Sequence, residues 1–195
     1  MAKRLNSVKI ARSHYHHGDL RAALIDAGEG LLGDRGVDGF SLREAARRAG
    51  VTPAAPAHHF GDVRGLLTAI ATRGFVRLGE ALGEADRRAG PDRKARLHAQ
   101  GRAYVEFALT HPASFELMWR KAVLDPDDPA YAEAGAAAFH ILRRAVEGPE
   151  PPPEDASPAV IACWAVVHGY ARLALDSGLA LPPGQLDAVL DSLNV

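Results

Sequence analysis

Ser41-Leu-Arg-Glu-Ala-Ala-Arg-Arg-Ala-Gly50-Val-Thr-Pro-Ala-Ala-Pro-Ala-His-His-Phe60 decides how this chain folds, because it holds two short helical segments around one glycine corner. Ser41 is suited to cap the first segment, and Glu44 three residues on completes a capping box. Leu42, Ala45, Ala46 and Ala49 share one helical face, which leaves Arg43, Arg47 and Arg48 for solvent or phosphate. Gly50 stands where a helix ends in a left-handed residue, and Val51 plugs the corner. Thr52 is expected to cap the second segment, with Pro53 at its first position needing no N–H partner. Pro56 removes a hydrogen bond unless it lies in a first turn, so the second helix should be short and stiff. This is the plan of a helix-turn-helix, whose second helix lies in the major groove of DNA.

Outward from this stretch the pattern is helical, with almost no strand signal. A first helix is expected over 19–34, its core stripe formed by Leu20, Ala23, Leu24, Ala27 and Leu31. Asp62 can cap a fourth helix that carries Leu66, Leu67, Ile70 and Phe75 and runs to about Arg88, before Gly90-Pro91. Further helices are expected near 92–110, around Phe115 to Trp119, and over 130–147. Five prolines make 148–158 an exposed or disordered loop. The last two helices, near 158–177 and 183–193, carry more apolar surface than one small domain needs, which suggests a dimer interface. The expected fold is all-α, about nine helices. A basic flexible arm (1–14) leads into a helix-turn-helix domain (15–70) and a second helical domain (71–195) that carries the dimerisation face.

Length and charge agree with that division. The chain has 195 residues, is 47% hydrophobic and carries a net charge of −1, so bulk charge announces no nucleic-acid partner. The distribution says more: residues 1–67 hold ten Lys/Arg against seven Asp/Glu, and the remainder is acidic. One cysteine, Cys163, excludes an internal disulfide and suits a reducing cytoplasm. Residues 1–18 lack the apolar run of a secretory signal, and 159–181 is interrupted by His168, Arg172 and Asp176. A soluble cytoplasmic protein without a membrane partner is expected.

The run from Gly36 through Pro56, closed by His59-Phe60 and Leu66-Leu67, resembles the DNA-binding domain of tetracycline-repressor-type (TetR) regulators. The segment Trp164-Ala-Val-Val-His168-Gly169 resembles the Trp…His-Gly signature of one ligand-domain subgroup of that family. The resemblance implies a homodimer joined through the last two helices, a double-stranded operator as partner, and a small-molecule effector in the C-terminal domain. Such proteins are usually repressors. In two positions this chain departs from the family pattern. Ala57 stands where a Tyr is usual and Val63 where a Lys is usual, and both are commonly phosphate-contacting groups. Arg64, His58 and the basic arm are the groups placed to compensate. A helical small-molecule-binding protein of the same fold with weak DNA binding therefore stays open.

The expected DNA-binding residues are Lys3, Arg4, Ser41, Arg43, Thr52, Pro53, Ala54, Ala55, Ala57, His58, His59 and Arg64. Thr52 suits a phosphate or base edge, and the alanines are small enough for close approach to a thymine methyl. The histidines can reach phosphates. Lys3, Arg4, Lys9 and Arg12 suit a groove-entering arm or a solvated tail equally. His14, His16 and His17 are poorly spaced for a closed metal site and suit backbone contact or helix entry better.

Tyr104, Phe107, Trp119, Phe139, Trp164 and His168 are the candidate walls of an effector pocket, with core packing the rival role for each one. His168 and Asp176 are two turns apart with no nucleophile placed to join them. Neither a phosphate loop nor a dinucleotide motif is present. No enzyme activity, cofactor or metal is expected.

Overall fold

The computed structural model describes residues 17–150, 155–176, 182 and 184–192. The expected arm, with Lys3, Arg4, Lys9, Arg12, His14 and His16, lies outside the described residues, as do 151–154 of the proline-rich loop. Nine α-helices and no strand occur among the described residues. They are α1 (His17–Arg35), α2 (Leu42–Arg48), α3 (Ala55–Phe60), α4 (Val63–Arg88), α5 (Arg93–Thr110), α6 (Pro112–Met118), α7 (Pro129–Glu147), α8 (Pro158–Asp176) and α9 (Gln185–Asp191). A short 3-10 turn, Lys121–Val123, joins α6 to α7.

Local chemistry explains most boundaries. Ser41 Oγ accepts the Glu44 N–H at 3.2 Å and starts α2. At the other end Gly50 is left-handed, with φ of 69°. Val51 N–H then donates to the Ala46 carbonyl at 3.0 Å and Gly50 N–H to that of Arg47, the double closure expected at a glycine corner. Asp62 caps α4 through the Gly65 N–H at 2.9 Å. Asp92 and Asp128 do the same for α5 and α7, at 2.7 and 2.9 Å.

Two local expectations are corrected. Thr52 does not cap α3: the helix begins two residues later, Ala54 is its N-cap, and no side chain bonds there. Instead the Thr52 carbonyl accepts the Ala55 N–H at 3.0 Å, a tight turn across Pro53 that precedes the helix. The shift places Pro56 in the first turn, where its missing N–H leaves no gap. The capping box of α2 is half-formed, because the Glu44 carboxylate turns to Arg47 and Arg48 instead of Ser41.

On α1 the deeply buried stripe is Leu24, Ile25, Leu31 and Leu32, with Leu20, Ala23 and Ala27 only half-buried. A Cβ at Gly28 would lie 2.8 Å from Ile70 Cδ1, so α1 meets α4 closely at the glycine.

Helix α4 is the axis of the molecule. Its 26 residues span roughly 39 Å at about 1.5 Å per residue. It packs against α1 and α3 at one end and α5, α6 and α7 along the rest. The expected division between residues 70 and 71 therefore falls inside one helix, and a single core runs from Ile25 to Leu190. On α7 the deep residues are Tyr131 and the alanines 134, 138 and 145. Small side chains here let the helices close up: a Cβ on Gly79 would meet the Ala138 Cα at 3.7 Å.

Helix α8 is long and apolar enough to cross a membrane by length and composition. One face of it, Val160, Cys163, Val167 and Ala171, is buried in the protein, while Ile161 and Leu173 are exposed.

The junction of α3 and α4 has the least room of all. A Cβ on Gly65 would stand 1.9 Å from the Phe60 carbonyl oxygen, a backbone atom that cannot swing aside. Gly65→Ala should destabilise the fold by about 1–3 kcal/mol, the usual range for overpacking, as a lower midpoint in urea unfolding. An unchanged midpoint would mean that the junction is not tight.

Candidate nucleic-acid interface and internal cavity

At the head of the molecule the structure sorts the cations. Arg47 holds the Glu44 carboxylate with two bonds of 2.8 Å. Arg48 bonds Asp34 at 2.7 Å and the same Glu44 at 3.4 Å, which ties α2 to the end of α1. The Arg47 hydrogen bond dominates in holding the Glu44 carboxyl down at about 2; partial burial opposes it and Arg48 and Arg35 assist. Glu44 therefore stays ionised, and both arginines are largely neutralised locally. Arg43 is exposed and, among the described residues, has no carboxylate partner.

Around it Ser41, Thr52, Pro53, Ala54, Ala57 and His58 are exposed. Ala55 and His59 are half-buried, and Pro56 is buried as the seat of α3. Phe60 closes α3 beneath the Arg21 guanidinium, 5.2 Å above its ring. Arg64 lies apart from this face: its guanidinium reaches the Ala122 carbonyl at 3.5 Å, on the turn after α6. Val63 beside it is exposed to 37%.

The second feature is a partly open cavity of about 690 Å³ lined by α4, α5, α7, α8 and α9 together with Trp119 after α6. Of the six expected pocket residues, Tyr104, Trp119, Phe139 and Trp164 line it, and Phe107 and His168 do not. Phe107 is core, stacked on His111 at 4.9 Å between ring centres. His168 lies behind the wall, where its Nδ1 is 2.8 Å from the Tyr104 hydroxyl.

The protonation of this pair follows from burial. Burial pushes the Tyr104 phenol well up, with a Trp164 hydrogen bond pulling the other way, so the phenol keeps its proton and donates. Burial likewise lowers the His168 imidazole, and the Arg172 charge adds to it. His168 is thus a neutral acceptor at Nδ1 with its proton on Nε2, and it orients Tyr104 without touching the cavity.

Sequence reasoning missed other wall residues: Phe75, Leu78 and Leu82 of α4, Gln100 and Gly101 of α5, Cys163 and Val167 of α8, and Leu190 of α9. Gln100 had a signal. Leu97, Gln100, Gly101 and Tyr104 fall at the spacing of one helical face, so an amide was set among cavity-facing groups. Cys163 is buried, and burial pushes its thiol up. Lys94, His98 and Asp191 sit at the α5–α9 end, with Lys94 on Asp191 at 2.7 Å.

A pH dependence follows from His168. Its folded-state pKa lies below the ordinary 6.5, so the unfolded chain binds the extra proton and stability rises with pH. The contribution is complete above about 6.5 and is lost as pH falls toward the lowered folded value. The thermal midpoint should therefore drop between pH 7 and 5, and His168→Gln should drop less over the same interval. Parallel curves would remove His168 as the cause.

Comparison with known proteins accords with this geometry. Residues 24–70 match the model described as bacterial regulatory proteins, tetR family. Residues 97–194 match the tetracyclin repressor-like C-terminal domain, a description that names no Trp…His-Gly subgroup. None of the curated proteins is similar in sequence.

Among solved structures, a protein of unknown function from Rhodococcus sp. RHA1 is 38% identical, with TM-score 0.77 over 92% of this chain and 94% of that one. A transcriptional regulator from the same organism is 27% identical, with TM-score 0.67 over 88% and 91%. A bacterial regulatory protein of the tetR family from Rhodococcus RHA1 shares the fold at 19% identity, with TM-score 0.67 over 89% and 96%. With a matching head, a matching C-terminal domain and an exposed reading face, the chain belongs to the tetracycline-repressor (TetR) family of DNA-binding transcriptional regulators.

Proposed function

We propose that the chain is a homodimeric repressor that reads a near-palindromic operator and is released when a small-molecule effector enters the cavity. The observation that carries this reading is the surface left open at the head. Arg43, Thr52, Pro53, Ala54, Ala57 and His58 are exposed together, whereas the neighbouring Arg47 and Arg48 are tied to carboxylates. Arg43 supplies charge to a phosphate, and Thr52 and His58 supply hydrogen bonds. The small Ala54 and Ala57 admit a close approach to base edges and thymine methyls. Ser41 remains the cap of α2, and Ala55 and His59 seat the reading helix. Lys3 and Arg4 would add backbone contacts.

A dimer is supported by the outer face of α8. Ile161 and Leu173 are exposed there to 46% and 54%, and the small Ala165 and Gly169 lie between them at four-residue spacing. Such a face suits the same helix of a second copy, with α9 alongside, and sets the two heads one helical turn or a multiple apart on DNA. Effector control is supported by α4, which touches the cavity with Phe75, Leu78 and Leu82 and begins beside α3. The effector acts only through its different affinity for the DNA-bound and released geometries. This is a regulator of the cytoplasm, with neither catalysis nor a membrane in its reading.

A second reading, a small-molecule-binding protein of the same fold with weak DNA affinity, is favoured by two positions. Ala57 and Val63 carry no phosphate donor, and Arg64 leans toward Ala122.

Fluorescence anisotropy on the DNA flanking the protein's own gene separates the two, titrated from low to physiological salt beside a scrambled duplex. Binding that survives physiological salt on the native DNA alone is the expected result; equal loss on both duplexes would favour the second reading. Arg43→Ala should lower the salt slope by about 0.9 for each phosphate contact it makes. Thr52→Ala should cost about 1 kcal/mol of operator affinity. Sedimentation should show the same dimer in both variants.

A further inference from the structure

We propose that the cavity takes a neutral, ring-bearing, largely apolar molecule that offers one hydrogen-bond acceptor to the Trp119 indole N–H and one donor to the Gln100 amide oxygen. The assignment rests on the effector reading above. It begins with two orphaned atoms. Trp119 Nε1 and Gln100 Oε1 are both buried from water without a hydrogen-bond partner, and both residues line the cavity. Buried polar groups normally have partners, so two orphans in one cavity wall point to groups that an occupant supplies.

The orientation of the Gln100 amide is settled by its neighbours. Its Nε2 donates to Asp86 Oδ1 at 2.7 Å. Asp86 is itself gripped by Arg96 with bonds of 2.8 and 2.9 Å and can only accept. The amide therefore cannot turn its nitrogen to the free side, and the orphan is an acceptor that wants a donor. Gln100 is 97% buried, so no other protein group reaches this oxygen and only what fills the cavity can meet it.

The wall between these atoms favours rings. Phe75 meets Trp119 edge-on at 5.2 Å, Trp119 lies 5.6 Å from Trp164, and Trp164 lies 5.6 Å from Phe139. Tyr104 continues this arc, its hydroxyl held on His168. Aromatic rings stack or meet edge-on with one another, so an arc of five suits a planar guest.

Charge is unfavourable inside. Among the described residues the charged or basic side chains on the wall are Lys94, His98 and Asp191, which face one another at the α5–α9 end, while burial keeps the Tyr104 phenol and Cys163 thiol neutral. A carboxylate guest finds its nearest cation already paired. A quaternary ammonium would find aromatic faces, but it brings no acceptor for the indole N–H.

The test uses the full chain and four probes of common shape: naphthalene, 2-naphthamide, 2-naphthoate and (naphthylmethyl)trimethylammonium. Trp119 and Trp164 are the chain's two tryptophans, and both line the cavity, so intrinsic fluorescence reports occupancy directly. 2-Naphthamide should bind at least about tenfold more tightly than naphthalene or 2-naphthoate. Trp119→Phe, which keeps a ring and removes the donor, should pull the amide-to-hydrocarbon ratio toward one, with Trp164 still reporting. Gln100→Met should lower the same ratio.

Equal affinity for amide and hydrocarbon, tighter binding of either charged probe, or quenching by none of the four would overturn the proposal. Operator binding measured on the same preparation keeps its failure apart from that of the regulator reading. Intact DNA binding beside a failed ligand preference rejects only the effector class, and lost DNA binding rejects the regulator.

Discussion

Everything else in the molecule depends on α4 remaining one helix that its neighbours approach to backbone distance. Gly65 sits against the Phe60 carbonyl, and Ile70 fills the notch left by Gly28 on α1. A Cβ on Gly74 would come within 2.7 Å of the Met118 sulfur. Gly79 lies against Ala138. At Gly65, Gly28 and Gly74 a missing side chain brings two elements closer than ordinary core packing allows, and at Gly79 they meet at ordinary contact distance. Close-packed contacts of this kind do not yield gradually, so displacement at one level of α4 is felt at the others. The head, the α6 segment and the cavity are thus read off one rod.

Polar contacts then fix which element sits where along that rod. Arg73 and Arg77 reach across to Asp26 and Glu29 and hold α1 on α4. Thr68, almost fully buried, donates to the Arg64 carbonyl at 2.8 Å and accepts the Asp125 N–H at 2.9 Å, pinning the segment after α6 to the head-side half of α4. At the far end α9 is attached differently. Leu190 fits over Gly101, and the ion pairs of Lys94 and Arg102 with Asp191 and Asp187 lie in solvent. Exposed pairs contribute little, about 0–1 kcal/mol each. The cavity is therefore firmly walled on the α4 side and lightly closed on the α9 side.

The helix-turn-helix was legible because its signals are local. Ser41, Gly50 and Asp62 act on backbone groups within a few residues, and each does in the structure what its chemistry implies. Where two local options compete, local reasoning fails. Thr52 and Ala54 both stood upstream of the same helix, and the turn across Pro53 together with the burial of Pro56 gave the start to Ala54. Glu44 had a capping partner and two arginines within reach, and the arginines won because a carboxylate gains more from a bidentate, oppositely charged guanidinium than from one neutral backbone N–H.

By itself the sequence determined the all-α class, the number and order of the helices, the glycine corner, and the apolar excess of α8. All of these follow from side-chain periodicity and backbone preference within a few turns. Only the tertiary structure decided which arginine stays free at the head. It also decided that Tyr104 lines the cavity while its partner His168 stands behind it, and that Gln100 and Trp119 carry unmet polar atoms there. Those outcomes depend on partners 14 to 64 residues away, such as Asp34 for Arg48 and His168 for Tyr104. Long-range neighbours of this kind leave no periodic mark on the chain, and only packing brings them together.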